Sequence, residues 1–173
     1  MQQQSTKLKG VQLIRPDVYH DERGFLKESF SHQRYQVLLG ISADFVQDNI
    51  STSKRGVLRG LHFQTINPQG KLITVTQGAI FDVVADIEPF SPTYGQYVAY
   101  ELSAENHWQL WVPPGYAHGF CVLSESAQVL YKCTDYYRAD DQGGVAWNCP
   151  TLAIDWPIKE PILSAKDAIL PAL

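Results

Sequence analysis

Val57-Leu58-Arg59-Gly60-Leu61-His62-Phe63-Gln64, followed after a break at Thr65–Gly70 by Lys71-Leu72-Ile73-Thr74-Val75-Thr76-Gln77, decides how this chain folds. Both runs are short, rich in Val, Ile, Phe and Thr, and bounded by Gly, Pro and Asn. That is the pattern of strands, not of a helix. Phe45–Asn49, Ala79–Ile87, Tyr97–Leu102, Gln109–Val112, Gly119–Leu123 and Gln128–Thr134 repeat it. Many short strands at fairly even spacing predict an all-β sandwich or jelly-roll barrel.

The flanks are less regular. Residues 1–10 are polar and read as a loose tail, entering a first strand near Val11–Ile14. Pro16 and the turn-like Asp21-Glu22-Arg23-Gly24 break the chain before a second strand at Phe25–Phe30. One short helix follows. Ser31 can cap it, Tyr35, Leu38 and Leu39 share its apolar face, and Gly40 can end it. Near the C-terminus, Ser164-Ala165-Lys166-Asp167 has the form of a capping box that opens a helical turn. No repeat, linker or low-complexity segment divides the chain, so one domain over 1–173 is expected.

Composition narrows the function. With 173 residues there is enough chain for one sizeable core. A net charge of -4 argues against a nucleic-acid partner, which would need a basic surface. Three cysteines, Cys121, Cys133 and Cys149, have no metal-type spacing. Two of them sit in strand-like runs, where a reduced core thiol is the usual reading. A reducing cytoplasm is therefore expected. The first residues lack the apolar core of a signal peptide, and no apolar run reaches membrane-spanning length.

The candidates for chemistry each have a bland reading beside the sharp one. His62 is a base candidate, although a lone strand histidine is more often structural. Strict alternation puts Arg59 and His62 on opposite faces, unless Gly60 marks a bulge that re-aims one of them. Lys71 alternates with Ile73 and Val75, so it either faces the apolar interior with a task or snorkels to solvent from the strand's mouth. Tyr131 shares a face with Val129 and Cys133; it packs in the core or delivers a proton there. Asp167 holds the acidic position of the capping box. His118 follows a Pro-Gly turn and Arg23 lies in a turn, where solvated side chains are ordinary. Barrels of the cupin type often bind metal through two histidines alternating on one strand, but this chain reads His62-Phe63-Gln64. A single histidine pair from distant strands is a poor divalent site, so no metal is expected.

Taken together, these stretches resemble the dTDP-4-dehydrorhamnose 3,5-epimerase family. The resemblance runs from Asp21-Glu22-Arg23-Gly24-Phe25 through Asp48-Asn49, Val57–Gln64 and Trp111–Phe120 to Leu163–Ala168. It implies a cupin-type double-stranded β-helix without metal or other cofactor, with a few short helices, and typically a homodimer. The implied reaction inverts dTDP-4-dehydro-6-deoxy-D-glucose at carbons 3 and 5 on the route to dTDP-L-rhamnose. By resemblance His62 is the base, Asp167 orients it, Tyr131 is the acid on the opposite face of the sugar, and Lys71 lies near the carbon-4 oxygen. Arg23, Arg59 and His118 would hold the diphosphate and sugar, with Glu28 in the same pocket. Gln47, Asp48 and Asn49 would line the nucleotide end beside Tyr19 and Tyr137, and Lys166 matches a further binding position. Family members often carry Glu where this chain has Gln142.

The residue types suit that chemistry. Carbons 3 and 5 both flank a ketone, so loss of either proton gives an enolate. An imidazole, with a reference pKa of about 6.5, can serve as the base near neutral pH. A lysine places positive charge where the enolate oxygen forms. The alternatives are an epimerase of carbon 3 or carbon 5 alone, a 3,4-ketoisomerase, and, from other classes, a sugar-nucleotide- or glycan-binding jelly roll without catalysis or a metal-dependent oxygenase.

Overall fold

The computed structural model describes residues 1–40 and 44–173. Thirteen strands occur among them. They are β1 (Gln2–Ser5), β2 (Gln12–Arg15), β3 (Val18–Asp21), β4 (Gly24–Lys27), β5 (Gln47–Lys54), β6 (Leu58–Gln64) and β7 (Lys71–Gln77), then β8 (Ala79–Asp86), β9 (Tyr97–Ser103), β10 (Gln109–Val112), β11 (Tyr116–Val122), β12 (Ser126–Cys133) and β13 (Gln142–Gly144). Helix α1 spans His32–Leu39, and a 3₁₀ turn spans Asp167–Ile169. One sheet runs β1-β2-β10-β7-β12-β5, and the other runs β13-β6-β11-β8-β9. Strands β3 and β4 form a hairpin of their own.

Apolar alternation explains how the layers stack. Ile73 and Val75 of the six-stranded sheet meet Ile80, Val84, Phe120 and Val122 of the five-stranded sheet in a central core. The intervening residues are also covered. Leu72 and Trp111 pack outward against Tyr35 and Leu39 of α1. Val83, Ala85 and Cys121 pack outward against Val145, Leu152 and Trp156 of the C-terminal segment. Both faces of the central strands are therefore dry, which is why β8 reads as a near-continuous apolar run. Each fully buried Ile or Leu contributes roughly 1.5–3 kcal/mol by leaving water. The result is the expected jelly roll.

Several local expectations change. The tail is not loose: Gln2–Ser5 pairs with β2 as the edge strand of its sheet, with every side chain exposed. Edge pairing runs through the backbone, so a polar sequence can do it. The second strand stops at Lys27 and pairs with β3, a strand the apolar pattern does not mark. β5 extends to Lys54 with alternating exposure along a polar sequence. Helix α1 ends as expected, with Gly40 in the left-handed region and its N–H on the Gln36 carbonyl. Its N-cap Ser31 makes no side-chain cap bond. All three cysteines are free and buried. No helix among the described residues is long and apolar enough to cross a membrane.

Candidate active site

A cavity of about 490 Å³ opens between the two sheets, and both sheets and the C-terminal segment line it. The five-stranded sheet contributes Arg59 and His62 from β6 and His118 from β11. The six-stranded sheet contributes Lys71 from β7 and Tyr131 from β12. The C-terminal segment adds Ser164, Lys166 and Asp167. An adjoining recess of about 250 Å³ shares His62, Lys71, Tyr131, Tyr137 and Gln142, and adds Gln47, Asn49 and Gln69.

The bulge at Gly60 brings Arg59 and His62 to one cavity. His118 pairs with His62 and Phe120 with Arg59, so β6 carries one more residue than β11 over this interval. Gly60 has φ +110°, and a Cβ there would lie 2.7 Å from the His118 carbonyl oxygen and 2.8 Å from the Gly119 Cα. Only glycine permits that approach. Arg59 is steadied by donating from Nε to Ser53 Oγ at 2.9 Å.

Nε2 of His62 donates to Asp167 Oδ1 at 2.6 Å. This leaves Nδ1 of the ring free to accept a proton. The Ser164 hydroxyl accepts the Asp167 backbone N–H at 3.0 Å, as a capping box requires. The carboxylate, however, turns to the histidine, so only half of the box is made, and the local reading of Asp167 as a cap is incomplete. Burial pushes the Asp167 pKa up, but the hydrogen bond and charge of His62, the Ser164 hydroxyl and the Gly60 N–H outweigh it and hold the carboxyl below its usual range. A hydrogen bond to a charged group is worth roughly 1.5–3 kcal/mol.

Lys71 faces inward. It stands opposite Cys133, in line with Ile73 and Val75, and is half-buried at the cavity wall. Burial lowers its pKa, while the Cys133 thiolate, where it forms, and the Asp82 charge act to raise it. Tyr131 lies opposite Ile73 and Asn49 on the same inner face. Burial chiefly raises its pKa, the Cys133 thiolate would add to this, and Arg59 opposes it. The phenol therefore stays protonated near neutral pH. His62 and Tyr131 come from different sheets, so they reach the cavity from opposite walls.

Gln142 lines both recesses. Its Oε1 accepts from the Tyr137 hydroxyl at 2.9 Å and from Lys166 Nζ at 2.6 Å. Gln47 donates to Asn49 Oδ1 at 3.0 Å and accepts the Tyr137 N–H at 2.9 Å. His118 is no solvated turn residue: it lies within β11 and is buried.

Four expected site residues line neither recess within one chain. Asp48 alternates to the other face of β5 and takes two hydrogen bonds from Lys132 Nζ, at 2.8 and 2.9 Å. Tyr19 and Arg23 sit on the β3–β4 hairpin, and Glu28 just follows it. Arg23 pairs with Asp21 in the open. Glu28 pairs with Arg34 at 3.1 Å. The hairpin belongs to neither large sheet, which keeps these side chains away from the cavity.

One residue was missed. Asp82 is a lone carboxylate inside the apolar run Ile80-Phe81-Asp82-Val83-Val84. An acid there was itself the available signal. It is fully buried and accepts from His118 Nε2 at 2.8 Å. Among the described residues no group of three or more His, Cys, Asp or Glu side chains converges as a metal site would require.

Known proteins resemble this chain in sequence and in fold. Residues 5–173 match the family model described as dTDP-4-dehydrorhamnose 3,5-epimerase. The dTDP-4-dehydrorhamnose 3,5-epimerase of Salmonella typhimurium is 51% identical over 170 residues, covering 97% of this chain and 93% of that protein. The crystal structure of the dTDP-6-deoxy-D-glucose-3,5-epimerase of Legionella pneumophila Philadelphia 1, in complex with dTDP-4-keto-L-rhamnose, superposes with a TM-score of 0.96. It is 50% identical and covers 99% of this chain and 92% of that one. The Bacillus anthracis dTDP-4-dehydrorhamnose 3,5-epimerase, with TDP and pyrophosphate bound, gives a TM-score of 0.95 at 48% identity, with 99% of each chain covered.

Proposed function

Because this chain belongs to the dTDP-4-dehydrorhamnose 3,5-epimerase family, we infer its chemistry from the residues that meet in its cavity. The reaction is the epimerisation of dTDP-4-dehydro-6-deoxy-D-glucose at carbons 3 and 5, giving dTDP-4-dehydro-L-rhamnose for dTDP-L-rhamnose synthesis. The observation that carries the mechanism is the pair of proton carriers on opposite walls: His62, backed by Asp167 at 2.6 Å, and Tyr131, kept protonated by burial.

In our reading, His62 Nδ1 takes the proton from the carbon beside the ketone. The electron pair moves into the ring as an enolate, and the carbon-4 oxygen becomes negative beside the Lys71 ammonium. A single contact of this kind is worth roughly 3–4 kcal/mol in the transition state. Tyr131 then gives its proton to the same carbon from the other wall, which inverts it. His62 then releases its proton to solvent and Tyr131 regains one, and the same steps at the second carbon complete the reaction. The chemistry needs no electron acceptor, so no cofactor is invoked. Arg59, His118 and Lys166 supply positive charge or donors for the sugar diphosphate, and Gln47, Asn49 and Tyr137 line the recess suited to the nucleotide.

We propose a homodimer of single-domain protomers. Tyr19, Phe25 and Leu26 leave large apolar surface exposed on the β3–β4 hairpin. The hairpin also carries Arg23, which lines neither of the two recesses described above. A second copy of the chain would cover the apolar surface and receive Arg23 and Glu28 at its cavity. Three unpaired thiols fit a reducing compartment, and we propose the cytoplasm.

Proton NMR of dTDP-4-dehydro-6-deoxy-D-glucose in heavy water tests the reaction. Deuterium is expected at carbons 3 and 5, with the L-lyxo product trapped by a reductase. Exchange at neither carbon would reject the assignment.

A further inference from the structure

A second histidine–carboxylate pair stands beside the first. His118 is the direct cross-strand partner of His62, and both line the cavity. Behind His118, on β8, lies Asp82, which is fully buried and lines no part of the cavity. Its Oδ1 accepts from His118 Nε2 at 2.8 Å. Its Oδ2 has no protein hydrogen-bond partner among the described residues.

A buried carboxylate with one oxygen unsatisfied is costly unless positive charge offsets it. A simple structural pair would satisfy both oxygens with donors; here the balance must be electrostatic. Lys71 is a cation on which that charge acts, since Asp82 opposes the effect of burial on its ammonium. Cys133 acts in the same sense, but burial raises the thiol above its ordinary pKa, and it is neutral at pH 7. Asp82 is thus the negative charge that Lys71 feels. The remaining groups at Lys71 are Tyr131 from β12, His62 from β6 and His118 from β11. The Asp167 carboxylate is already engaged by His62.

We propose that Asp82 is a positioning residue for the epimerisation: it fixes the His118 ring through Nε2, which leaves Nδ1 for the substrate, and its buried charge holds Lys71 as an ammonium where the enolate oxygen forms. Asp82 touches no reacting atom. It acts on the sugar through His118 and on the oxyanion through Lys71, so one buried carboxylate sets two walls of the site. The inference rests on the epimerase reading above.

The test is Asp82→Asn in the full chain, with kcat and KM followed through the neutral and alkaline range. The substitution keeps size and removes charge. Lys71 loses a favourable partner, its pKa falls, and the ammonium is lost at lower pH. The alkaline limb of kcat is expected to move down by about one pH unit, the lower end of what a nearby opposite charge produces. At neutral pH kcat should fall at least about tenfold, short of the roughly hundredfold loss typical of deleting an oxyanion donor. An alkaline limb that stays in place overturns the proposal. In a Lys71→Gln background, Asp82→Asn should cost much less; a loss as large as in the parent also overturns it. Should Asp82→Asn fail to fold, Asp82→Glu keeps the charge and should keep the limb in place while lowering kcat, and a displaced limb there counts against the idea. Failure of the epimerase reading is separable, because it appears as no deuterium exchange by the unaltered chain.

Discussion

His62 and Asp167 are 105 residues apart in the chain and joined by a hydrogen bond of 2.6 Å. The bond couples a strand of the five-stranded sheet to the C-terminal turn. It also orients the imidazole, because the carboxylate claims Nε2 and leaves Nδ1 for the substrate.

His62→Ala removes the base while taking little from the core, since the ring lies at a cavity wall. Turnover is expected to fall by roughly 100- to 10,000-fold or more, with the thermal transition nearly unchanged. Circular dichroism and a coupled reductase assay measure the two effects. Full activity in this variant would sink the mechanism.

Tyr131→Phe separates two events that the wild-type chain performs together. Deprotonation by His62 survives, so deuterium still enters carbons 3 and 5, whereas inversion loses its opposite-face acid. The expected result is a larger loss in inversion than in exchange, read by NMR on one sample. Equal loss of both would count against the role assigned to Tyr131.

Acid should weaken the His62–Asp167 tie in a defined way. The folded-state pKa of Asp167 lies below its ordinary carboxylate value. Its contribution to stability is therefore fully present above the unfolded-state pKa of about 3.9, and is lost as pH falls through the lower folded value. Asp167→Asn cannot titrate. The gap in urea midpoint between the two proteins should be widest near neutrality and shrink in acid. A gap that does not change with pH contradicts this account.

Gly60→Ala should be among the most damaging small substitutions. The new methyl group would sit 2.7 Å from a carbonyl oxygen of β11, on a backbone with φ +110°. Strain at such a position costs about 1–3 kcal/mol before any clash is counted. Chemical denaturation should show a loss of at least about 2 kcal/mol, together with lowered activity as Arg59 and His62 are displaced. Unchanged stability would mean that the bulge tolerates a side chain.

The dimer can be tested by complementation. If the hairpin of one protomer supplies Arg23 to its partner's cavity, Arg23→Ala and His62→Ala homodimers are both impaired, and mixing them under exchange restores activity. One of the two sites in the mixed dimer carries neither lesion. A mixture no more active than its parts would place Arg23 outside the partner's site.

Much of the sheet was legible in the apolar pattern of the chain. β7 and β10 have the boundaries read from their apolar runs, because a strand covered on both faces must spell its burial in Val, Ile, Leu and Trp. The register of Lys71 with Ile73 and Val75 was legible for the same reason, but whether it faced inward or snorkelled to solvent was left to the packing. A bulge at Gly60 was legible only as one option, a glycine between two side chains that strict alternation would put on opposite faces. Tertiary structure alone decided the rest. β1 and the short β13 join their sheets through backbone hydrogen bonds, which leave no mark on side-chain pattern. The Asp167 carboxylate could have closed its own capping box, and only the packing of the C-terminal turn against β6 gave it to His62. Asp82 was visible as an acid among apolar residues, but its partner His118 lies on the neighbouring strand, 36 residues away. Local sequence records which side of a strand must be dry; it does not record which distant side chain will meet a buried charge, because that is fixed only when the sheets close on each other.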